Sequence, residues 1–298
     1  MSYIILALLA ALFTSLTTIL GKIGIKDINS NFGTFIRTGV VIIFSFILCL
    51  ITNDISFTNS LTIYNWLFLI LSGISTGISW LCYYKALKLG DVSKVAPIDK
   101  SSFILTNILF LIFFFDDTTN NGNILTIGML ILSMVLMLSG TLLMIDYKKS
   151  DNKSNKKWLI FAILSSVFAS LVSLFVKLGL KGIPSNLGTF YRTIVVFIFS
   201  LTIVLVRKDY KGCNKISIKS WIFLILSGVS TGLAWLLEYN ALNIAGSNAI
   251  VINSIGKLSI LLTMFISFLF LKEKFTLKSI LGLILLTSGI VVAIIFSL

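Results

Sequence analysis

Residues 66–87 read WLFLILSGISTGISWLCYYKAL, and residues 221–242 read WIFLILSGVSTGLAWLLEYNAL. About two thirds of the positions match, more than shared apolar character alone produces. The likeness extends upstream of this pair. SNFGTFIRT at 30–38 returns as SNLGTFYRT at 185–193, and KIGIK at 22–26 returns as KLGLK at 177–181. The chain is a duplication, with one copy over 1–147 and the other over 158–298. A linker at 148–157 joins them, inside the polar stretch DYKKSDNKSNKK.

Each copy holds five apolar runs. They fall at about 4–21, 34–52, 65–87, 96–115 and 124–145, then at about 158–176, 188–206, 220–242, 250–271 and 279–297. Each is long enough to cross about 30 Å of hydrocarbon as a helix, and too long for the strands of a membrane barrel. Composition agrees: 57% of residues are hydrophobic and 12% charged, whereas soluble domains carry about 25% charged residues. An all-α integral membrane protein of ten transmembrane helices is expected. The segment from Ile4 to Leu20 lacks a basic flank and reads as the first span, not as a cleavable leader.

The net charge of +13 does not form a nucleic-acid patch, because the basic residues sit in short gaps between apolar runs. That pattern orients helices in a membrane. Five spans per copy is an odd number, so the second copy must start on the opposite side and lie inverted. Loop charge agrees. The 53–64 gap holds no Lys or Arg, while its counterpart holds Arg207, Lys208, Lys211, Lys215 and Lys219; the 116–123 gap is likewise free of them, against Lys272, Lys274 and Lys278. Lys88 and Lys94 face a counterpart at 243–248 with none. Both termini are expected outside and the linker in the cytoplasm. Inverted copies supply the two mirror-related conformations of alternating access.

Histidine is absent, and the three cysteines follow no metal-ligand spacing. No metal and no cofactor are expected. No span holds a nucleophile–base pair and no GxxxxGK[ST] motif is present, so neither an enzyme nor ATP-driven transport by this chain alone is expected.

The third and eighth runs carry the strongest site signal. Gly73 and Gly77, like Gly228 and Gly232, have the spacing that lets a neighbouring backbone approach closely, a structural role. Trp80 and Tyr84 continue that side, as do Trp235 and Tyr239. Ser75, Ser79 and Tyr83 form a more polar stripe round the helix, matched by Ser230, Ala234 and Glu238. Glu238 breaks the match between copies, since Tyr83 stands in its place. An ionisable group inside a span costs about 2.5–3.5 kcal/mol unless paired or wetted, which makes a functional role the default. It could carry a proton or balance a cationic substrate; its rival reading is a headgroup-facing acid. The tryptophans and tyrosines around it suit a cationic or aromatic ligand, or packing. Small polar residues on the first and sixth runs (Ser15, Thr18 and Lys22; Ser166, Ser170, Ser173 and Lys177) could line a wet path, or bond their own helix carbonyls.

Arg37 and Arg192 hold matching places despite the opposite orientation of their copies, so topology alone does not account for them. Capping of a neighbouring helix is expected, with substrate binding as the rival reading. Lys100 and Lys257 also correspond; Asp99 neutralises Lys100, whereas Lys257, beside Gly256, is a candidate partner for Glu238.

These residues resemble the EamA family of the drug/metabolite transporter superfamily. The most specific parts are LSGISTGISWLCYYKALKLGDVSKVAPIDKSS at 71–102 and FLFLKEKFT at 268–276. The resemblance implies two EamA-like units and a central cavity lined by helices one to four and six to nine. It also implies peripheral fifth and tenth helices and secondary transport of small metabolites. The second copy departs from it, with INSIGKLS at 252–259 in place of APIDKSS and Asp116 where its counterpart is Glu273. The expected function is secondary active transport of a small polar or cationic organic metabolite, an amino acid or amine, across the cell membrane. The rivals are efflux of lipophilic cations and flipping of a lipid intermediate. Expected partners are the small-molecule substrate and membrane lipid, with no nucleic acid; a monomer suffices.

Overall fold

The structure, a computed structural model, describes residues 2–24, 28–89, 98–99, 101–114, 123–143, 157–210, 216–244, 249–271 and 277–297. Lys94, Lys100, Asp116, Glu273 and most of the linker fall outside these, as do the side chains of Lys22 and Tyr84. Every long element described is a helix: α1 Ser2–Gly24, α2 Ser30–Ile51, α3 Ile63–Leu89, α4 Ser102–Phe113, α5 Ile124–Leu143 and α6 Lys157–Gly179 in the first stretch of chain. The rest are α7 Ser185–Arg207, α8 Ile218–Ile244, α9 Ala249–Gly256, α10 Leu258–Leu271 and α11 Leu277–Ser297. Seven helices among the described residues are long and apolar enough to cross a membrane, and three shorter apolar helices lie at Ser102–Phe113, Ala249–Thr263 and Ile280–Phe296. The expected ninth span is interrupted. Lys257 stands in a turn between α9 and α10, with its N–H donating to the Ser254 carbonyl at 3.0 Å.

Local chemistry sets the helix ends. The Asn29 side chain caps α2 by accepting the Asn31 N–H, and Pro184, which has no N–H to satisfy, precedes α7. α7 stops at left-handed Lys208 (φ 56°), and α2 at Thr52, with left-handed Asn53 (φ 57°) one residue beyond. Large apolar side chains such as Ile43, Ile47, Leu50, Ile63, Ile131, Val135, Ile284 and Ile295 are exposed along the spans. That surface suits lipid, not water.

The chain forms two compact units that cut across the sequence copies: one holds Met1–Ile74, Phe175–Ile244 and Ser259–Lys272, the other Ser75–Leu174, Ala245–Leu258 and Glu273–Leu298. In the first unit, α1 packs along α8 and α2 along α7. The contacts come in reciprocal pairs. A Cβ on Gly73 would lie 2.7 Å from Val195 and 3.3 Å from the Arg192 carbonyl oxygen; on Gly228 it would lie 2.7 Å from Val40 and 3.0 Å from the Arg37 carbonyl oxygen. A Cβ on Gly24 would meet Leu224, and one on Gly179 would meet Leu69. In each pair the partners exchange copies at one fixed sequence offset. The helix ends do the same: Asn186 donates to Asp54 at 2.7 Å, and Asn31 to Asp209 at 2.6 Å with Asn29 at 2.8 Å. The start of each helix meets the segment following the other's end, so α2 and α7 run antiparallel.

In the second unit, α5 packs along α11 through glycine. A Cβ on Gly140 would fall 2.5 Å from the Leu286 nitrogen and 2.6 Å from the Gly282 oxygen; on Gly289 it would fall 2.8 Å from the Ser133 oxygen. The helices expected to be peripheral have exposed apolar faces and also one tight seam with each other.

Candidate functional site

In the first unit, charged residues from several helices meet one face of α8. At 100° per residue, Thr231, Trp235, Glu238, Tyr239 and Leu242 share a sector of about 100°. Glu238 therefore lies between the two rows, about 40° from Ala234 and about 60° from Trp235, since positions three and four apart are helix neighbours. Three cations from other helices meet this sector. Arg37 donates through Nη2 to the Thr231 hydroxyl at 3.0 Å. The Arg192 guanidinium carbon lies 4.6 Å from the Trp235 ring centroid and 5.6 Å from that of Tyr239. Lys177 donates from Nζ to the Leu242 carbonyl at 2.6 Å. The Thr231 hydroxyl, itself bonded to the Ser227 carbonyl, also lies 3.4 Å from that of Thr17, and Ser227 donates to the Thr17 carbonyl. Arg192 is only 2% exposed, Tyr239 is buried, and Trp235 and Glu238 are half-buried.

The second unit holds Ser75, Gly77, Ser79, Trp80, Tyr83 and Lys257. Ser75, Gly77 and Ser79 are buried, while Trp80 and Tyr83 are half-buried. Ser79 bonds Ser165 of α6 rather than pointing free: each hydroxyl donates to the other's carbonyl at 3.1 Å. Tyr83 packs with Ile98, Trp158 and Phe161 around Ala86 and Ala162. The Lys257 ammonium lies 5.4 Å from the Phe103 ring centroid. Glu238 and Lys257 belong to different units. The serines and threonines of the wet-path reading mostly bond their own helix: Ser15 to the Leu12 carbonyl, Thr18 to that of Thr14, Ser170 to that of Val167. Gly232 serves packing, with a Cβ there falling 2.8 Å from Phe44.

Several groups escaped the sequence reading. Lys177 as a carbonyl cap, the Asp54 and Asp209 clasps, and a bond from the Ser165 hydroxyl to Asp99 at 2.7 Å all join residues far apart in the chain. The repeated SN at 30–31 and 185–186, set against the repeated aspartates, was a signal that could have found the clasps. No group of His, Cys, Asp and Glu that could hold a metal occurs among the described residues.

A family model described as "EamA-like transporter family" matches residues 1–139 and again 156–295. Over 107 residues the chain is 43% identical to a protein of Sinorhizobium sp described as "Uncharacterized transporter in cobO 3'region", a match covering 36% of this chain and 76% of the relative. A solved structure described only as "Crystal structure of protein" aligns with a TM-score of 0.73 at 11% identity, covering 99% of this chain and 97% of its own. That last likeness is one of fold alone.

Proposed function

Because the chain belongs to the EamA-like transporter family, and so is a multi-pass integral membrane protein, we propose that it is a secondary active transporter of a small polar or cationic organic metabolite of amino acid or amine type. It works by alternating access in the cell membrane, driven by a proton or other gradient. Its ten spans form two inverted five-helix copies. Support for the inversion comes from the antiparallel run of α2 and α7 and from the reciprocal glycine contacts, since a two-fold relation makes residue i meet j wherever j meets i.

The observation that carries the substrate reading is the α8 sector, where buried Arg192 lies over Trp235 and Tyr239 with Glu238 beside them. Ionisable side chains at such depth are costly and mark substrate or ion pathways. A guanidinium from α7 and a carboxylate on α8, both at one aromatic-lined face, match the two ends of an amino acid. Glu238 then serves either the substrate's ammonium group or the coupling proton. A thermal-shift screen of the purified protein against amino acids, amines and nucleosides tests this, because a ligand that binds only the folded state raises its melting temperature. Amino acids or amines should raise it in the wild type and not in Glu238→Gln. A shift with nucleosides alone overturns the substrate class.

A further inference from the structure

Two clasps tie α2 to α7, one at each end of the pair. Where α2 starts, the Asp209 carboxylate just past the end of α7 accepts from Asn31 at 2.6 Å and from Asn29 at 2.8 Å. Where α7 starts, the Asp54 carboxylate just past the end of α2 accepts from Asn186 and from the Thr52 hydroxyl, both at 2.7 Å. Each acid thus lies at the N-terminus of the opposite helix, where the macrodipole favours negative charge. Asn31 is buried and the Asp209 side chain is only 11% exposed. The helices have 22 and 23 residues, about 33 Å at 1.5 Å per residue. The clasps therefore stand at opposite faces of about 30 Å of hydrocarbon.

Aromatic packing fills the length between them. Phe35 stacks on Phe197 with ring centroids 4.9 Å apart, and Phe46 meets Phe190 at 5.3 Å. A Cβ on Gly39 would lie 3.4 Å from the Phe197 ring. From Asn31 through Phe35 and Phe46 to Asp54, the partners descend α7 from Asp209 through Phe197 and Phe190 to Asn186. The end bearing Asp54 is fastened again by the turn Asp54–Ser60: the Thr58 hydroxyl lies 3.1 Å from that of Tyr191, whose ring meets Trp66 edge-on at 4.6 Å.

A gate parts at one membrane face while the other face closes. Two helices working as gates against each other would hinge about a point along their length. For α2 and α7, hinging breaks one clasp and parts the aromatic pair beside it. Opening the first clasp leaves the buried Asn31 amide without its acceptor, a larger loss than the bond's own net contribution. From this geometry we infer that the Asn31–Asp209 and Asn186–Asp54 clasps make α2 and α7 one brace, closed at both membrane faces through every stage of the cycle. Opening and closing then take place outside this pair. What the brace serves rests on the alternating access proposed above. Duplication supplies both clasps from one interaction, because the same asparagine and aspartate recur at the same sequence offset in the inverted copy.

Reversible cross-linking in proteoliposomes tests the brace. In the full chain with Cys49, Cys82 and Cys213 each changed to alanine, one cysteine pair is Asn31→Cys with Asp209→Cys, and the other is Asp54→Cys with Asn186→Cys. A short bis-methanethiosulfonate bridges either pair or both, intact mass counts the bridges, and reductant removes them. Each pair should bridge at the same rate whether or not the other is already bridged. Bridging both should leave uphill accumulation of labelled amino acids and amines unchanged. A first bridge that slows the second, or a loss of accumulation that reductant restores, makes the clasps gates and overturns the brace. Unbridged protein that accumulates nothing contradicts the proposed transport instead, and the bridging rates still decide the brace. Melting temperatures give a second reading without cysteines. Asp209→Ala should melt below wild type and Asp209→Asn between the two, since its amide oxygen still accepts from Asn31. Wild-type melting of Asp209→Ala also overturns the brace.

Discussion

At the scale of single residues, the two halves of the α8 site are held by different forces. Arg192 lies against the faces of Trp235 and Tyr239, and a guanidinium over an indole contributes about 0.5–2 kcal/mol, more when desolvated. A double-mutant cycle of Arg192→Met and Trp235→Leu, read by thermal unfolding in detergent, should give a coupling energy in that range. Additive losses would mean that the stacking contributes nothing beyond packing. Glu238 stands out in the sequence because a near-identical helix carries Tyr83 at its place. The spacing of Trp235 and Tyr239 puts them on one helix face. That Arg192 covers their rings was not legible, since spacing along one helix says nothing about which other helix approaches it. The same gap hid the Ser165–Asp99 bond. Each of its two ends looked ordinary in isolation: a serine among apolar residues, and an acid with a lysine beside it.

At the scale of elements, glycine positions decide how closely helices pack. Gly128 and Gly140 lie on the same helix, α5, yet a Cβ on Gly128 meets nothing within 4 Å while one on Gly140 strikes the α11 backbone. Gly128→Ala should therefore leave stability unchanged or raise it by about 0.5–1 kcal/mol, through better helix propensity alone. Gly140→Ala should lower folded yield and melting temperature, because backbone cannot move aside as a flexible side chain does. Equal melting temperatures for the two variants would contradict the seam. Gly73→Ala and Gly228→Ala should be costly for a similar reason: Val195 and Val40 meet the new methyl at their Cβ atoms, next to the main chain. Helix existence was legible from run length. The α5–α11 seam was not, because a lone glycine in an apolar run signals close approach without naming the partner. The interruption at Lys257 had its trace in Gly256–Lys257, a poor helix-forming residue followed by a charge.

At the scale of the whole molecule, duplication was the most legible feature, and the family model matches both copies. The compact units were hidden, because they take helices from both copies and even divide α3 and α6 along their lengths. Loop charge predicts the membrane orientation. Cysteine labelling should place positions 151 and 211 in the cytoplasm and both termini outside; labelling of the C-terminus from the cytoplasm would contradict that topology while leaving the antiparallel α2–α7 pair intact. Transport itself is tested most directly in proteoliposomes. Purified protein, loaded against an imposed proton gradient, is offered a panel of labelled amino acids and amines. Wild type should accumulate at least one of them above its equilibrium level, and Glu238→Gln, folded to the same yield, should not. Uphill accumulation by Glu238→Gln at the wild-type rate would contradict the role of Glu238, and no gradient-driven accumulation of any amino acid or amine by the wild type would contradict proton-driven transport of this substrate class.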